Sequence, residues 1–354
     1  MKALHPVCLP DRSSRGEGEE VWGCSLAVVL GLRLFFVAFF LLQSASATQV
    51  TNIYSTGFEL SQGFDLRYTV MGQGGWTGTD PSGSGNGIVK DYFANSNTLH
   101  QPYGRQQAYI GLYPLTDPNG TLNVWRPLNF DPVPAGLPIV TFSVTMSIYD
   151  SFTVTNRDCF RWSIYNSNDN GQRLFTLDFD NLTTEINYEL DDQEFVFTGF
   201  LFENGDQNGG EYDLFVIMNF ADNLWSAWLN DVQIVDRKEM TTQGLALNLG
   251  DIEAVWVNRT LGKPGDNFMA FDNYAVTAEP YPFWLDTVGR LNNGTFQLRL
   301  TGEPGRQYDV EVSGDLNRWS VVDTTTLDSD GCGIVDDPTA SRYDKSFYRA
   351  RLVR

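Results

Sequence analysis

The sequence predicts an all-β protein, a two-sheet sandwich followed by a smaller β-sandwich, and three observations carry that prediction. Aromatic residues make up 14% of the 354 positions, and the 33 glycines and 15 prolines suit short strands joined by turns. No long segment keeps a helical period, whereas apolar residues recur at every second position from Val140 to Ile148. Strands at this density without intervening helices require two packed sheets, because a single open sheet would leave an apolar face in water.

The amino-terminal stretch 26–42 is almost wholly apolar, and Ala45-Ser46-Ala47 follows it with the small residues a signal peptidase accepts. This predicts an export signal spanning 1–47; an uncleaved anchor is the other reading, since the run lies near the lower limit for spanning a bilayer. The chain beyond Ala47 keeps two of the four cysteines, Cys159 and Cys332, and one histidine, His100. No cysteine framework exists, so two unpaired thiols are expected. A single histidine removes most metal-catalytic and histidine-dependent nucleophilic designs. The formal charge of -20 argues against nucleic acid and against anionic membrane surfaces, both of which need lysine and arginine presented outward.

Residues 48–59 read as an opening strand that ends in Gly57-Phe58-Glu59. Glycine, serine and asparagine then dominate from Gly72 to Asn86 around Trp76, which predicts a surface loop. Between 139 and 149, Val140, Phe142, Val144, Met146 and Ile148 alternate with Thr141, Ser143, Thr145 and Ser147, the pattern of a strand with one dry face. Further strands are predicted at 159–165, 173–179, 195–202, 212–220, 245–249, 252–258 and 268–276. The stretch 225–235 reads as a hairpin around Asn230-Asp231, residues that tolerate positive φ. Pairing Leu229 with Val232 and Ala227 with Ile234 would put Trp225, Ala227, Leu229, Val232 and Ile234 on one apolar face.

Taken in order, Gly57-Phe58-Glu59, Gly72-Gln73-Gly74-Gly75-Trp76, Trp228-Leu229-Asn230-Asp231 and Phe271-Asp272-Asn273-Tyr274-Ala275-Val276 resemble the concanavalin A-like, LamG-type jelly rolls of secreted bacterial proteins. The resemblance implies a jelly roll over 48–279. From 280 to 354 the elements Tyr308-Asp309-Val310-Glu311-Val312-Ser313, Asp315-Leu316-Asn317-Arg318-Trp319 and Phe347-Tyr348-Arg349-Ala350 are similar to a small carboxy-terminal β-sandwich module of exported bacterial proteins, implying an accessory or anchoring domain. Such jelly rolls include carbohydrate-binding modules, hydrolases and lyases, so fold does not choose among them.

A glycosidase needs two carboxylates flanking the cleaved bond, and jelly-roll glucanases carry them as Glu-x-Asp-x-x-Glu. That pattern is not found: Asp178-Phe179-Asp180 has no flanking glutamates, and 189–192 reads as a solvated acidic run. Jelly-roll lyases use a Tyr, His and Arg constellation with a Gln, to which His100, Tyr103 and Arg105 bear an isolated likeness; an ordinary surface histidine is the favoured reading. The resemblance also implies a structural calcium where first and last strands meet, held by Glu59 and Asp272; an ion pair or a capped strand end would use the same residues. For a sugar, stacking on exposed aromatics is the expected contact, with Trp76 first and Tyr103 and Trp125 next; Trp76 as a lid on the sandwich is the competing role. The expected function is an exported, non-catalytic protein that binds an extracellular glycan or cell-surface component and, after signal cleavage, neither nucleic acid nor membrane. A polysaccharide hydrolase or lyase and a structural extracellular component are the alternatives. The sequons at Asn119, Asn181, Asn258 and Asn293 matter only on a eukaryotic secretory route.

Overall fold

Ile139–Tyr149 forms one uninterrupted strand because its β-branched and aromatic residues fit a pleated surface and its period of two gives it one face to bury. The computed structural model describes residues 50–79, 85–90, 106–111, 120–150, 156–167, 171–191, 194–203, 210–260, 263, 265–342 and 345–353; the export segment 1–47, His100, Tyr103 and Arg105 lie outside them. The larger part holds β1 (Thr51–Thr56), β2 (Thr77–Gly78), β3 (Asn86–Lys90), β4 (Gln106–Gly111), β5 (Thr121–Trp125), β6 (Ile139–Tyr149), β7 (Cys159–Tyr165) and β8 (Arg173–Asp180). It continues with β9 (Glu185–Leu190), β10 (Val196–Leu201), β11 (Tyr212–Asn219), β12 (Leu224–Leu229), β13 (Val232–Glu239), β14 (Asp251–Val257) and β15 (Phe268–Glu279).

These strands make two antiparallel sheets. One has eight strands, in the order β13-β12-β11-β6-β15-β4-β3 with β1 also paired to β15; the other has seven, in the order β10-β9-β8-β7-β14-β5-β2. Neighbours in space are often distant in sequence, as in a jelly roll, and the inward residues of both sheets merge into one core. Phe142, Trp162, Phe271 and Tyr274 pack ring against ring in its centre, and Phe175 stacks on Trp225 at 4.0 Å. β15 changes partner along its length: Phe268–Phe271 face β4, Tyr274–Ala278 face β1, and a bulge separates the two runs. Asn273 adopts φ 52° at that bulge, a conformation asparagine tolerates better than most residues.

The predicted hairpin forms, and Asn230 takes φ 53° in its turn. Leu229 pairs with Val232 as expected, but a bulge at Ile234 shifts the register between Trp228 and Ala227, so Ala227 faces Val235; Ile234 and Val235 are both buried, and Val232 is exposed. Leu245–Leu249 is not a strand; only Leu249 bridges, to Phe130. The strands at 86–90, 106–111, 121–125 and 185–190 were not predicted, being short, glycine-flanked or polar.

Residues 284–352 form two three-stranded sheets around a second, smaller core of Leu298, Leu300, Tyr308, Val310, Leu327 and Val335. Their strands are β16 (Trp284–Arg290), β17 (Phe296–Thr301), β18 (Gln307–Ser313), β19 (Ser320–Thr326), β20 (Cys332–Asp337) and β21 (Phe347–Leu352). The sequence elements singled out here are neighbours: β18 lies antiparallel to β21, so Glu311 faces Arg349 and Asp309 faces Arg351, at 2.5 and 2.9 Å. The predicted Asp315–Trp319 segment is a turn, with the Asp315 carboxylate accepting the Asn317 and Arg318 amides and the Arg349 guanidinium over the Trp319 ring. Tyr281 donates to Asp222 at 2.9 Å where this part leaves the larger sandwich. Cys159 and Cys332 form no disulfide, as expected.

Candidate functional site

Period two decides what the seven-stranded sheet shows on the side away from the core. In its central strands Phe160, Trp162 and Ile164, Phe175, Leu177 and Phe179, and Ile252, Ala254 and Trp256 point inward and are buried. The intervening positions therefore point outward: Arg161, Ser163 and Tyr165 on β7, Thr176, Asp178 and Asp180 on β8, Asn187 and Glu189 on β9, Asp251 and Glu253 on β14, Asn123 and Trp125 on β5. Strand pairing aligns them in rows. Asn123, Val255, Arg161, Asp178, Asn187 and Phe197 follow one another across six strands, and Glu253, Ser163, Thr176 and Glu189 form the next row. Five strand spacings make the first row roughly 24 Å long.

Hydrogen bonds hold this face in one arrangement. Arg161 donates to Asp178 at 2.7 Å and Arg173 to Glu189 at 2.7 Å; Asn123 donates to Glu253 at 2.5 Å, and the Ser163 and Thr176 hydroxyls are 2.8 Å apart. The small hydroxyl residues are buried, and so are Asp178, Glu189 and Glu253, while Arg161, Arg173, Asn123, Asn187, Tyr165 and Trp125 remain partly exposed. Buried acceptors thus orient outward-reaching donors. Aromatic side chains border the polar rows: Trp125 at the β5 end, and at the β10 edge Phe195 and Phe197, with the Arg161 guanidinium 4.7 Å from the centre of the Phe195 ring.

The face also shifts its own acids. Burial raises the Glu253 carboxyl to about 7 despite the Asn123 hydrogen bond. Burial, and then the Glu253 charge, raises Asp251 to about 7. Burial likewise lifts Asp178, partly offset by Arg161. At Asp180 burial acts in the same direction, but the Arg259 hydrogen bond and the Leu182 and Thr183 amides outweigh it, so its carboxyl is held low. Cys159, beside these acids, is pushed up to about 12, mainly by burial and then by Asp178, which makes it a poor nucleophile.

The aromatic and metal predictions fare differently. Trp76 is buried, with 2% of its surface exposed, and is the lid rather than a stacking platform. Gly72, Gly74 and Gly75 all adopt positive φ, which folds the loop back and drives the indole between Phe58, Phe271 and Tyr274, where its N–H donates to the Tyr54 hydroxyl at 3.0 Å. Trp125 is half-buried on the outer face just described. Tyr103 lies outside the described residues.

Glu59 and Asp272 stand where β1 gives way to β4 along β15, and both carboxylates accept backbone amides. Glu59 takes the Gln106 amide at 3.0 Å and forms a reciprocal capping box with Gln62; Asp272 takes the Asn273 amide at 2.7 Å. Glu59 thus caps the short 3-10 turn at 60–62 and Asp272 braces the bulge within β15, and among the described residues no group of three or more His, Cys, Asp or Glu side chains is gathered that could hold a metal ion.

Glu189, expected in a solvated run, is buried and paired with Arg173. Asp251 and Glu253 were passed over: a charged residue at every second position of a strand otherwise as apolar as β14 was the signal. Of the sequons, Asn181 and Asn258 are buried, Asn293 is exposed and Asn119 lies outside the described residues. Among the described residues no helix is long and apolar enough to cross a membrane, a statement about helices only.

No protein-family model matches the chain, and no curated protein matches it. Among solved structures it is similar to a carbohydrate esterase from Shiga toxin-encoding bacteriophage phi24B, at 12% identity over 65% of this chain and 99% of that one, with a TM-score of 0.42. It is also similar to the CBM2 module of the evolved Dit of Lactobacillus casei BL23 phage J-1, at 10% identity over 67% and 99% with a TM-score of 0.40. A sialidase matches at 10% identity over 57% of this chain, which spans 17% of the sialidase's length, with a TM-score of 0.37. Likenesses this distant leave the function to be argued from the site.

Proposed function

We propose that this is an exported protein that binds an extracellular or cell-surface glycan across the outer face of its seven-stranded sheet, without need of catalysis. One observation carries the reading: a row in which the Asn123 amide, the Arg161 guanidinium and the Asn187 amide are spaced by Val255 and Asp178 is bordered by Trp125 at one end and by Phe195 and Phe197 at the other. A sugar chain is amphipathic in the same way, with ring faces that stack on aromatics and hydroxyls that take directed hydrogen bonds. The smaller sandwich serves as an accessory or anchoring module in this scheme.

The test is a glycan array read with the wild type, Trp125→Ala and Phe197→Ser. Binding that weakens in both variants while their melting temperatures hold supports the reading; binding that neither substitution alters contradicts it. A second reading has one observation in its favour. Asp251 and Glu253 lie two residues apart on one strand face with both carboxyls raised, the kind of pair a polysaccharide hydrolase divides into acid and nucleophile or base. New reducing ends released from a bound polysaccharide, and lost in Glu253→Gln, would decide for it.

A further inference from the structure

We infer that two copies of the protein pair through β10, the strand that ends the seven-stranded sheet, crossing antiparallel at Gly199 about a two-fold axis perpendicular to the sheet. The inference goes beyond the glycan-binding reading and does not depend on it.

A contrast among the sheet ends leads there. A strand at the end of a sheet can take on another strand, and proteins guard such strands with charge, brevity or cover. In the larger sandwich β13 is guarded by Asp236, Arg237, Lys238 and Glu239, all exposed; β2 is two residues long; and on β3 Asn86, Gly87 and Ile88 are buried. β10 reads Val196-Phe197-Thr198-Gly199-Phe200-Leu201, without an ionisable side chain, and among the described residues it pairs with β9 alone. Phe195, Val196, Phe197, Phe200 and Leu201 are 36% to 64% exposed.

The one guard on β10 is a bulge, and it shapes the contact. Phe197 pairs with Asn187 and Leu201 with Glu185, two positions of β9 that share the outer face, so Phe197 and Leu201 lie on that face as well. The bulge interrupts the ladder between them, and side chains rather than a continued run of backbone bonds therefore make the contact. Gly199, at φ 88° in the bulge, has open space where a side chain would stand, so a second strand can come close there. A crossing at Gly199 sets Phe197 of one copy against Leu201 of the other.

Size and sign identify the occupant. Taking roughly 200 Å² for a large side chain fully exposed, these five residues leave roughly 450 Å² bare. Two copies bring roughly 900 Å², and the polar margins of the strand carry the total past the roughly 1,000 Å² that a specific contact needs. An uncharged strand is its own complement when it meets itself antiparallel. Because the other three sheet ends are guarded, association closes at two copies. The two-fold axis sets both seven-stranded outer faces on the same side, end to end.

Sedimentation velocity of the full chain from about 1 to about 100 μM tests the pairing. A contact of this modest size should give monomer at the low end and mostly dimer at the high end, with a dissociation constant of about 10 μM. Added salt should tighten it severalfold, because each chain carries -20 while the contact itself is apolar. Phe197→Lys and Leu201→Glu should each weaken self-association about 100-fold, with melting temperature and circular dichroism unchanged, since each buries an unpaired charge in the homodimer. An equimolar mixture of the two variants should pair again, the lysine of one chain meeting the glutamate of the other. A wild type that stays monomeric at about 100 μM, assembly beyond two copies, or variants that do not pair on mixing would overturn the inference. Association that both variants retain belongs to another surface, the apolar stretch 26–42 included, and overturns it too. A monomer that floats with phosphatidylcholine vesicles, and ceases to in Leu201→Glu, would give the edge to a lipid surface instead.

None of these outcomes bears on the glycan array, so the two readings stand or fall separately.

Discussion

Replacing Glu253 by glutamine should make the protein more stable, but only in alkaline solution. Glutamine keeps the shape of the protonated carboxyl and can still accept the Asn123 amide, so at about pH 4, below the ordinary carboxyl value, the variant and the wild type should unfold alike. In the folded protein the Glu253 carboxyl is raised to about 7 from an ordinary 4.5, chiefly by burial. Between those values the folded state holds a proton that the unfolded state has released. Stability therefore falls as pH rises through that window, and the loss is complete above about pH 7. At 1.36 kcal/mol per unit the deficit is about 3 kcal/mol, which glutamine does not incur. Removing the Glu253 charge also relaxes Asp251, whose carboxyl it helps to raise, and this adds in the same direction. Urea unfolding of both proteins at about pH 4 and about pH 8.5 measures the effect. The variant should match the wild type at the lower pH and exceed it at the higher, by roughly 5 to 10 °C if read as a melting temperature. The same difference at both pH values, or a wild type that gains stability on going to pH 8.5 relative to the variant, would refute the claim that burial raises this carboxyl.

The remaining expectations concern other parts of the molecule. Trp76→Ala should cost about 3 to 5 kcal/mol in denaturant unfolding, because the indole fills the core against Phe58 and Tyr274; a stable variant that merely binds less ligand would restore its role as a platform. Asp158 is fully buried and accepts bonds from the Trp256 indole, the Arg259 and Gly265 amides and the Asn267 side chain, so Asp158→Ala should destabilise by about 3 kcal/mol or more, and a near-neutral melting curve would count against it. Chelation should leave the melting temperature unchanged if Glu59 and Asp272 act as caps for the Gln106 and Asn273 amides, whereas a drop reversed by calcium would show a bound ion.

What could be read in advance follows physical lines. β6 and β7 were legible because apolar and polar residues alternate along most of each, as Phe160, Trp162 and Ile164 do with Arg161, Ser163 and Tyr165, and β8 and β14 because apolar residues dominate them. The fate of Trp76 was not legible. It depends on three glycines with positive φ turning a loop inward, and the same composition marks an exposed loop equally well. The binding face was hidden for a different reason. Asn123, Arg161, Asp178 and Glu253 are spread over more than a hundred residues, and each looks like an ordinary outward position of its own strand. Only the spatial order β8-β7-β14-β5 puts them side by side, and sequence periodicity carries no information on strand order across long connections. The hairpin register failed more locally: Leu229 pairs with Val232 as expected, but a bulge at Ile234 brings Val235 rather than Ile234 opposite Ala227.

The most direct measurement is the position of a bound oligosaccharide in a crystal structure of the full chain. The account predicts sugar rings over Trp125 and along the row from Asn123 to Asn187, with polar atoms in hydrogen-bond reach of Glu253 and Arg161. A ligand seated on the other sheet, over Phe215 and Trp228, with the seven-stranded face bare, would contradict it.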